Sequence, residues 1–220
     1  MRLRDVGSGR SVARPELGPG TLDERPFPVG DELDLLGVRV VGGDAAEAHG
    51  EGEIRRCRLE SVNLSQSRFH PLTLIDVSLH QVELSNAQWH SLTARRVELT
   101  DARAVGLGLS LDLAADLYVE QTRLDYAGIH LERARGHVVF SGCSFREARL
   151  SGDLSGVLFV DCDLTGTEFT ATAANGTDLR SSRLPGARGL HSLRGAMIDV
   201  DQLITIAGQL AAEAGLRVCD

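Results

Sequence analysis

The sequence predicts an all-β solenoid closed at its C-terminal end by one α-helix. Three observations carry this. A mostly apolar residue returns every fifth position through Leu59, Leu64, Phe69, Leu74, Leu79, Leu84, Trp89, Ala94, Leu99, Ala104, Leu109, Ala114, Val119, Leu124 and Ile129, without a slip. Two positions before each lies a second, usually smaller residue, from Cys57, Val62 and Ser67 to Thr122 and Ala127. From Asp201 to Ala214 the period changes, and Leu203, Ala207, Leu210 and Ala214 take the spacing of one helical face.

A period of five excludes the simpler elements. On an α-helix each residue turns about 100°, so steps of five scatter around the axis and build no stripe. A flat strand needs unbroken alternation. Here alternation lasts three residues, as in Val82-Glu83-Leu84, and then resets. The chain therefore bends once per repeat, with two residues pointing in and three out. Stacked units of this kind bury a continuous core.

These residues resemble the pentapeptide-repeat family, whose consensus is A-(D/N)-L-x-x. Cys162-Asp163-Leu164-Thr165-Gly166 and Thr177-Asp178-Leu179-Arg180-Ser181 are close to it. The resemblance covers roughly residues 54–198. It implies a right-handed quadrilateral parallel β-helix with about twenty residues per coil, hence about seven coils. At about 4.8 Å per coil the rod is on the order of 35 Å long.

Along the chain, residues 1–30 hold Pro15, Pro19, Pro26 and Pro28 among glycines and charges, which predicts an extended or disordered arm. Residues 31–53 read as an irregular first coil, through Leu33, Leu35, Val38 and Val40, then a small acidic loop. The β-helix proper is expected over 54–198. Its register slips near Arg135-Gly136, resumes at Phe140, Phe145 and Leu150, and slips again before Leu154. Residues 199–220 are expected to form the helix and tail, with Asp199 or Asp201 as N-cap and Gly215 as C-cap. A helix this short needs something to pack on, and the open last coil is the natural seat.

Composition agrees with a narrow interior: aromatics are 4% of 220 residues, with one Trp. There is no run of 18 apolar residues to cross a membrane. The start lacks the apolar segment of a signal peptide, so a cytoplasmic location is expected. Cys57, Cys143 and Cys162 fall on the small inward position, where a free thiol behaves as a small hydrophobe. Cys143 and Cys162 are placed to stack on adjacent coils, as reduced core thiols or as a redox pair. All 23 basic residues are Arg, and net charge is −8. The acidity lies at the ends: residues 1–53 carry 11 acidic and 6 basic residues, residues 54–198 carry 16 of each.

No nucleotide loop, zinc spacing or nucleophile elbow is present, so no enzyme, cofactor, catalytic residue or metal site is expected. His70, His90 and His130 stack on the third side without a third close ligand, and Arg95, Arg96, Arg133 and Arg135 make a small basic patch. Four slots per coil put slots 59, 79, 99, 119, 140, 159, 179 and 198 on one side. Its outward residues Glu60, Glu98, Asp101, Glu120, Asp161 and Asp178 make a candidate acidic binding face, opposed only by Arg58 and Arg180.

The tail from Gln209 to Val218 also resembles the C-terminus of gyrase-protecting, quinolone-resistance pentapeptide-repeat proteins. That resemblance implies a homodimer through Leu203, Ile206, Ala207, Leu210, Leu216 and Val218. Three functions follow for testing. The first is a non-enzymatic module that binds a protein partner through a β-helix face. The second is a DNA mimic that binds DNA gyrase, since ordered carboxylates can imitate the duplex charge of one per about 1.7 Å. The third is a structural spacer. None binds nucleic acid directly or a membrane.

Overall fold

The computed structural model describes residues 2–7, 9–18, 20, 22–28 and 30–217. It is a right-handed, four-sided β-solenoid of about seven turns with one C-terminal helix. One corner shows the stacking: Asp44, Asn63, Glu83, Arg103, Arg123, Ser144, Asp163 and Arg183 pair in series, each with its neighbour one coil on, all parallel. The sides are β3 (Asp23–Glu24), β4 (Glu32–Leu36), β5 (Val38–Val41), β6 (His49–Glu60), β7 (Arg68–His80), β8 (Gln88–Thr100), β9 (Gly108–Glu120), β10 (Gly128–Leu131), β11 (Ala134–Ser141), β12 (Arg149–Asp153), β13 (Leu158–Val160) and β14 (Glu168–Ala173). Two short strands, β1 (Leu3–Asp5) and β2 (Ser11–Ala13), precede them.

The inward positions are those the five-residue period picks out. Leu59, Leu79, Leu99, Val119, Phe140 and Phe159 form one continuous parallel column, each at most 8% exposed. Phe140, Phe145 and Phe159 fill the later coils with rings 5.1 to 5.8 Å apart. Burying one such side chain contributes about 1.5–3 kcal/mol. The corners require left-handed backbone. Ser61, Gln81, Asp101, Gln121 and Asp161 all have φ between 47° and 55° at one corner, and Asp76, Arg96 and Asp116 bend β7–β9 in the same way. Polar residues therefore gather at corners because they tolerate this region and face water.

Both expected slips are bulges: one between Arg135 and Val138 against β9, one between Gly152 and Asp153 against β14. At the N-terminal end regular coil starts earlier than 54. β4 and β6 pair in parallel from Glu32–Glu51 to Leu36–Arg55. Gly50 and Gly52, which in the sequence suggest a loop, serve close approach: a Cβ there would lie 1.9 Å from the Asp31 carbonyl oxygen and 2.0 Å from that of Leu33.

Within the segment expected to be an extended arm, Leu3 to Asp5 pair antiparallel with Ser11 to Ala13 as a hairpin. It makes a sheet of its own. Its stability is tertiary, because Val12 is fully buried with Tyr118, Val139 and Leu158, contacts no local pattern could announce. Pro19 lies outside the described residues.

The helix α1 (Val200–Glu213) is capped by Asp199, which accepts from the Gln202 N–H while the Gln202 side chain accepts from the Asp199 N–H. It closes the last coil with polar side chains. The Gln202 amide donates to the carbonyls of Leu179 and Ser182. The Glu213 carboxylate accepts from the N–H groups of Gly189, Leu190 and His191, at 2.6, 3.1 and 2.9 Å. Gln202 thus pairs carbonyls that the open end of the coil leaves free, and Glu213 caps the short 3-10 helix Leu190–Ser192.

Candidate partner-binding surfaces

On the first side two outward columns flank the buried one. The first runs Arg58, Ser78, Glu98, Tyr118, Val139, Leu158 and Asp178 in coil order. The second holds Glu60, His80, Thr100, Glu120 and Ser141. The side carries the predicted carboxylates, but in two groups with an apolar stretch over three coils in the first column.

Most of these carboxylates are already paired. Glu60 accepts from Arg39, with Arg58 at 3.7 Å. Asp178 is held by Arg180 at 2.7 Å; that pair, set against partial burial, keeps its carboxyl below the usual range, and Arg10 of the N-terminal hairpin adds to the effect. Asp101 lies 3.4 Å from His80 and Asp161 is exposed. Opposite charges on neighbouring coils pair elsewhere too, as in Asp76–Arg96, Glu83–Arg103 and Arg149–Glu168. The equal acid and base count of the coil is thus spread as coil-to-coil pairs.

Glu98 and Glu120 are covered by the chain's own hairpin. Arg14 grips Glu98 through Nε at 2.9 Å and Nη2 at 3.3 Å. Arg4 reaches Glu98 at 3.3 Å and Glu120 at 3.1 Å, with its guanidinium 4.1 Å above the Tyr118 ring. Burial opposes the charge on Arg4, but Glu98, Tyr118 and Glu120 together outweigh it, so its pKa is raised. The Glu16 N–H donates to Asp76 at 2.9 Å. Burial alone would raise Asp76, but Arg96 and that N–H hold it low.

The helix turns its faces otherwise than the apolar spacing suggests. Gln202 and Ile206 are buried against the coil and Leu210 is half-buried. Leu203 is 47% exposed, and Ala207 and Leu216 are exposed. Val200 and Ile204, each 72% exposed, join Leu203 and Ala207 at the i, i+3, i+4, i+7 spacing of one stripe. Of the six residues expected at a dimer interface, Leu203, Ala207 and Leu216 face out, Ile206 and Leu210 face the coil, and Val218 lies outside the described residues. The reason is the last coil's unpaired backbone, which selects Gln202 and Glu213 for the inner face.

On the third side, His70 and His90 line one shallow groove and His90 and His130 line the next; His130 bonds Ser151 at 2.9 Å. Among the described residues no group of three or more His, Cys, Asp or Glu is arranged to hold a metal, and no helix is long and apolar enough to cross a membrane. Arg96 belongs to the Asp76 pair, while Arg95, Arg133 and Arg135 are exposed. Cys143 and Cys162 stack on adjacent coils as buried free thiols. The Cys162 thiol and burial together push the Cys143 thiol up, which keeps it protonated and inert.

Sequence reasoning missed Tyr118, Val139 and Leu158 as a surface. The signal was present: three apolar residues at one outward slot, one coil apart once the slips are counted. Val12, Arg4 and Arg14 carry no such signal, since nothing local ties them to the coil.

Residues 153–188 match the pentapeptide-repeat family with eight copies. No curated protein matches the chain. Among solved structures, a trypsin-treated variant of QnrB1, a plasmid-mediated fluoroquinolone resistance protein, is 18% identical, covering 90% of this chain and 98% of its own at a TM-score of 0.41. HetL, a pentapeptide-repeat protein involved in heterocyst differentiation regulation in the cyanobacterium Nostoc, is 17% identical, covering 73% and 82% at 0.31. Such scores are too low to lay one molecule's surfaces on another's. The matched copies keep the five-residue period that the coil follows on their N-terminal side, and residues 153–188 carry the pentapeptide repeats of that family.

Proposed function

We propose that this protein works by binding other proteins rather than by turning over a substrate, as a homodimeric rod joined through the outer face of its C-terminal helix. The observation that carries the reading is the apolar stripe Val200, Leu203, Ile204 and Ala207, left in water while the helix spends its polar Gln202 and Glu213 on the coil. A second copy related by a two-fold axis would cover the stripe with itself. The rod then presents its sides to a protein partner. The reading takes the protein to act in the cytoplasm, where Cys57, Cys143 and Cys162 stay reduced. Multi-angle light scattering should give a dimer, and Ile204→Glu a monomer with unchanged β-rich circular dichroism. A wild-type monomer across the micromolar range would leave the helix as a cap alone.

Mimicry of DNA toward gyrase is the second reading. Exposed Asp101 and Asp161 on the side that also carries Glu60 favour it. Arginines on Glu60, Glu98, Glu120 and Asp178 weigh against it.

A further inference from the structure

A solenoid side that points outward is normally polar, yet here Tyr118, Val139 and Leu158 occupy one outward column in three successive coils and are 6%, 0% and 3% exposed. They are buried only because the N-terminal hairpin lies over them, with Val12 at the centre and Val6 and Val160 at the edge. Carboxylates stand at both ends of the patch: Glu98 and Glu120 before it, Asp178 after it. The hairpin answers the first pair with Arg4 and Arg14, while Asp178 is held by Arg180 of the coil.

The attachment is made by side chains. Among the described residues, no backbone–backbone hydrogen bond joins residues 2–17 to the coils, and the hairpin belongs to a sheet of its own. The main-chain link to the coil is the Glu16 N–H on the Asp76 carboxylate. Nor does the segment fill the space it crosses: a cavity of about 440 Å³ remains between it and the coil, lined in part by Arg2, Arg14, Leu17, Arg58, Ser78 and Glu98. The main core contains no fully buried residue before Leu33, so the coil does not need the hairpin to close. A segment held by one aliphatic plug, two arginines and no ladder sits at the low end of local stability.

We propose that this seat is a docking site for a partner protein segment carrying an aliphatic side chain between arginines, and that the N-terminal hairpin is its built-in competitor. The occupant's chemistry is set by complementarity already on view: an apolar floor of Tyr118, Val139 and Leu158 for the aliphatic group, and Glu98 and Glu120 for the guanidinium groups, with the Tyr118 ring stacking one of them. Binding in trans then exposes Arg4, Arg10, Arg14 and Val12, so the partner's arrival changes the rod's surface. This rests on the reading of the rod as an interaction module. It is independent of the helix-mediated dimer, which light scattering reports separately.

The test uses the full-length protein and a fluorescein-labelled synthetic peptide copying residues 2–17 as probe, read by anisotropy at low salt. Val12→Asp releases the hairpin and should bind the probe at least tenfold tighter than the wild type. Arg4→Glu with Arg14→Glu, which touches no core residue, should do the same and serves if Val12→Asp fails to fold. Adding Glu98→Gln and Glu120→Gln to either should cost at least tenfold in affinity, with circular dichroism unchanged. Equal binding by wild type and released variants, absence of binding by a folded released variant, or indifference to the carboxylate changes would overturn the proposal.

Discussion

Arg14 and Glu98, 84 positions apart, meet in a two-point charge-assisted pair at 2.9 and 3.3 Å. The Glu98 side chain is 7% exposed there, against 45% for Arg14. A half-exposed arginine closing over a nearly buried carboxylate ties the N-terminal segment to the middle of the rod. Arg4 stands on the other side of the same carboxylate, so it meets two guanidinium groups.

Loosening this pair should free the hairpin and leave the coil standing. Glu98→Gln is expected to raise the rate of trypsin cleavage after Arg10 about tenfold, since cleavage tracks the open population. The melting transition should stay within a few degrees, because the main core lies elsewhere. A large loss of thermal stability with no change in cleavage would mean that the hairpin is integral to the coil.

The helix should leave the last coil in acid. Burial would raise the Glu213 carboxyl, but the N–H groups of His191, Leu190 and Gly189 and the His191 ring hold it below its ordinary value. A lowered folded pKa contributes stability that is complete above the unfolded value of about 4.3 and is lost as pH falls through the folded one. Asp76 and Asp125 shift the same way and should weaken the coil in the same window. Helical ellipticity at 222 nm should therefore hold from neutral pH to about 4.5 and fall below it. Glu213→Gln should show reduced helicity already at pH 7. Gln202→Ala, which leaves the Leu179 and Ser182 carbonyls unpaired, should cost about 1–3 kcal/mol at every pH.

The middle of the rod is underfilled. Ala94, which stacks on Ala114 of the next coil, lines with Leu74, Trp89, Leu99 and Leu109 a residual cavity of about 40 Å³. Ala94→Val should stabilise the protein by about 0.5–2 kcal/mol in urea unfolding. Leu84→Ala, at a fully buried slot, should cost about 2–5 kcal/mol. Leu79→Arg should abolish the cooperative transition, and a soluble variant with the wild-type melting point would refute the inward assignment.

Gyrase offers a direct comparison of the two functional readings. Arginines on four of the predicted carboxylates predict no dose-dependent block of supercoiling of relaxed plasmid by the wild type. Inhibition that vanishes with Asp101→Arg and Glu60→Arg would reverse the order of the readings and favour mimicry through the first side.

The five-residue spacing by itself determined the coil, its inward columns, the buried small position that holds Cys143 beside Cys162, and even the two bulges, because each coil repeats one local pattern. The phase of Leu59, Leu79, Leu99, Val119, Phe140 and Phe159 is legible from spacing alone and is the one observed. The carboxylates of the first side were legible as positions but not as a free face. Whether Glu98 meets water or Arg14 depends on a contact across 84 residues, and no local period encodes it. The helix shows the same division. Its existence follows from its spacing and its Asp199 cap, while the choice of inner face was decided by the exposed carbonyls and N–H groups of the last coil. Those groups reward Gln202 and Glu213 with hydrogen bonds and leave Val200, Leu203 and Ile204 in solvent, since an unpaired backbone edge costs more than an uncovered methyl group.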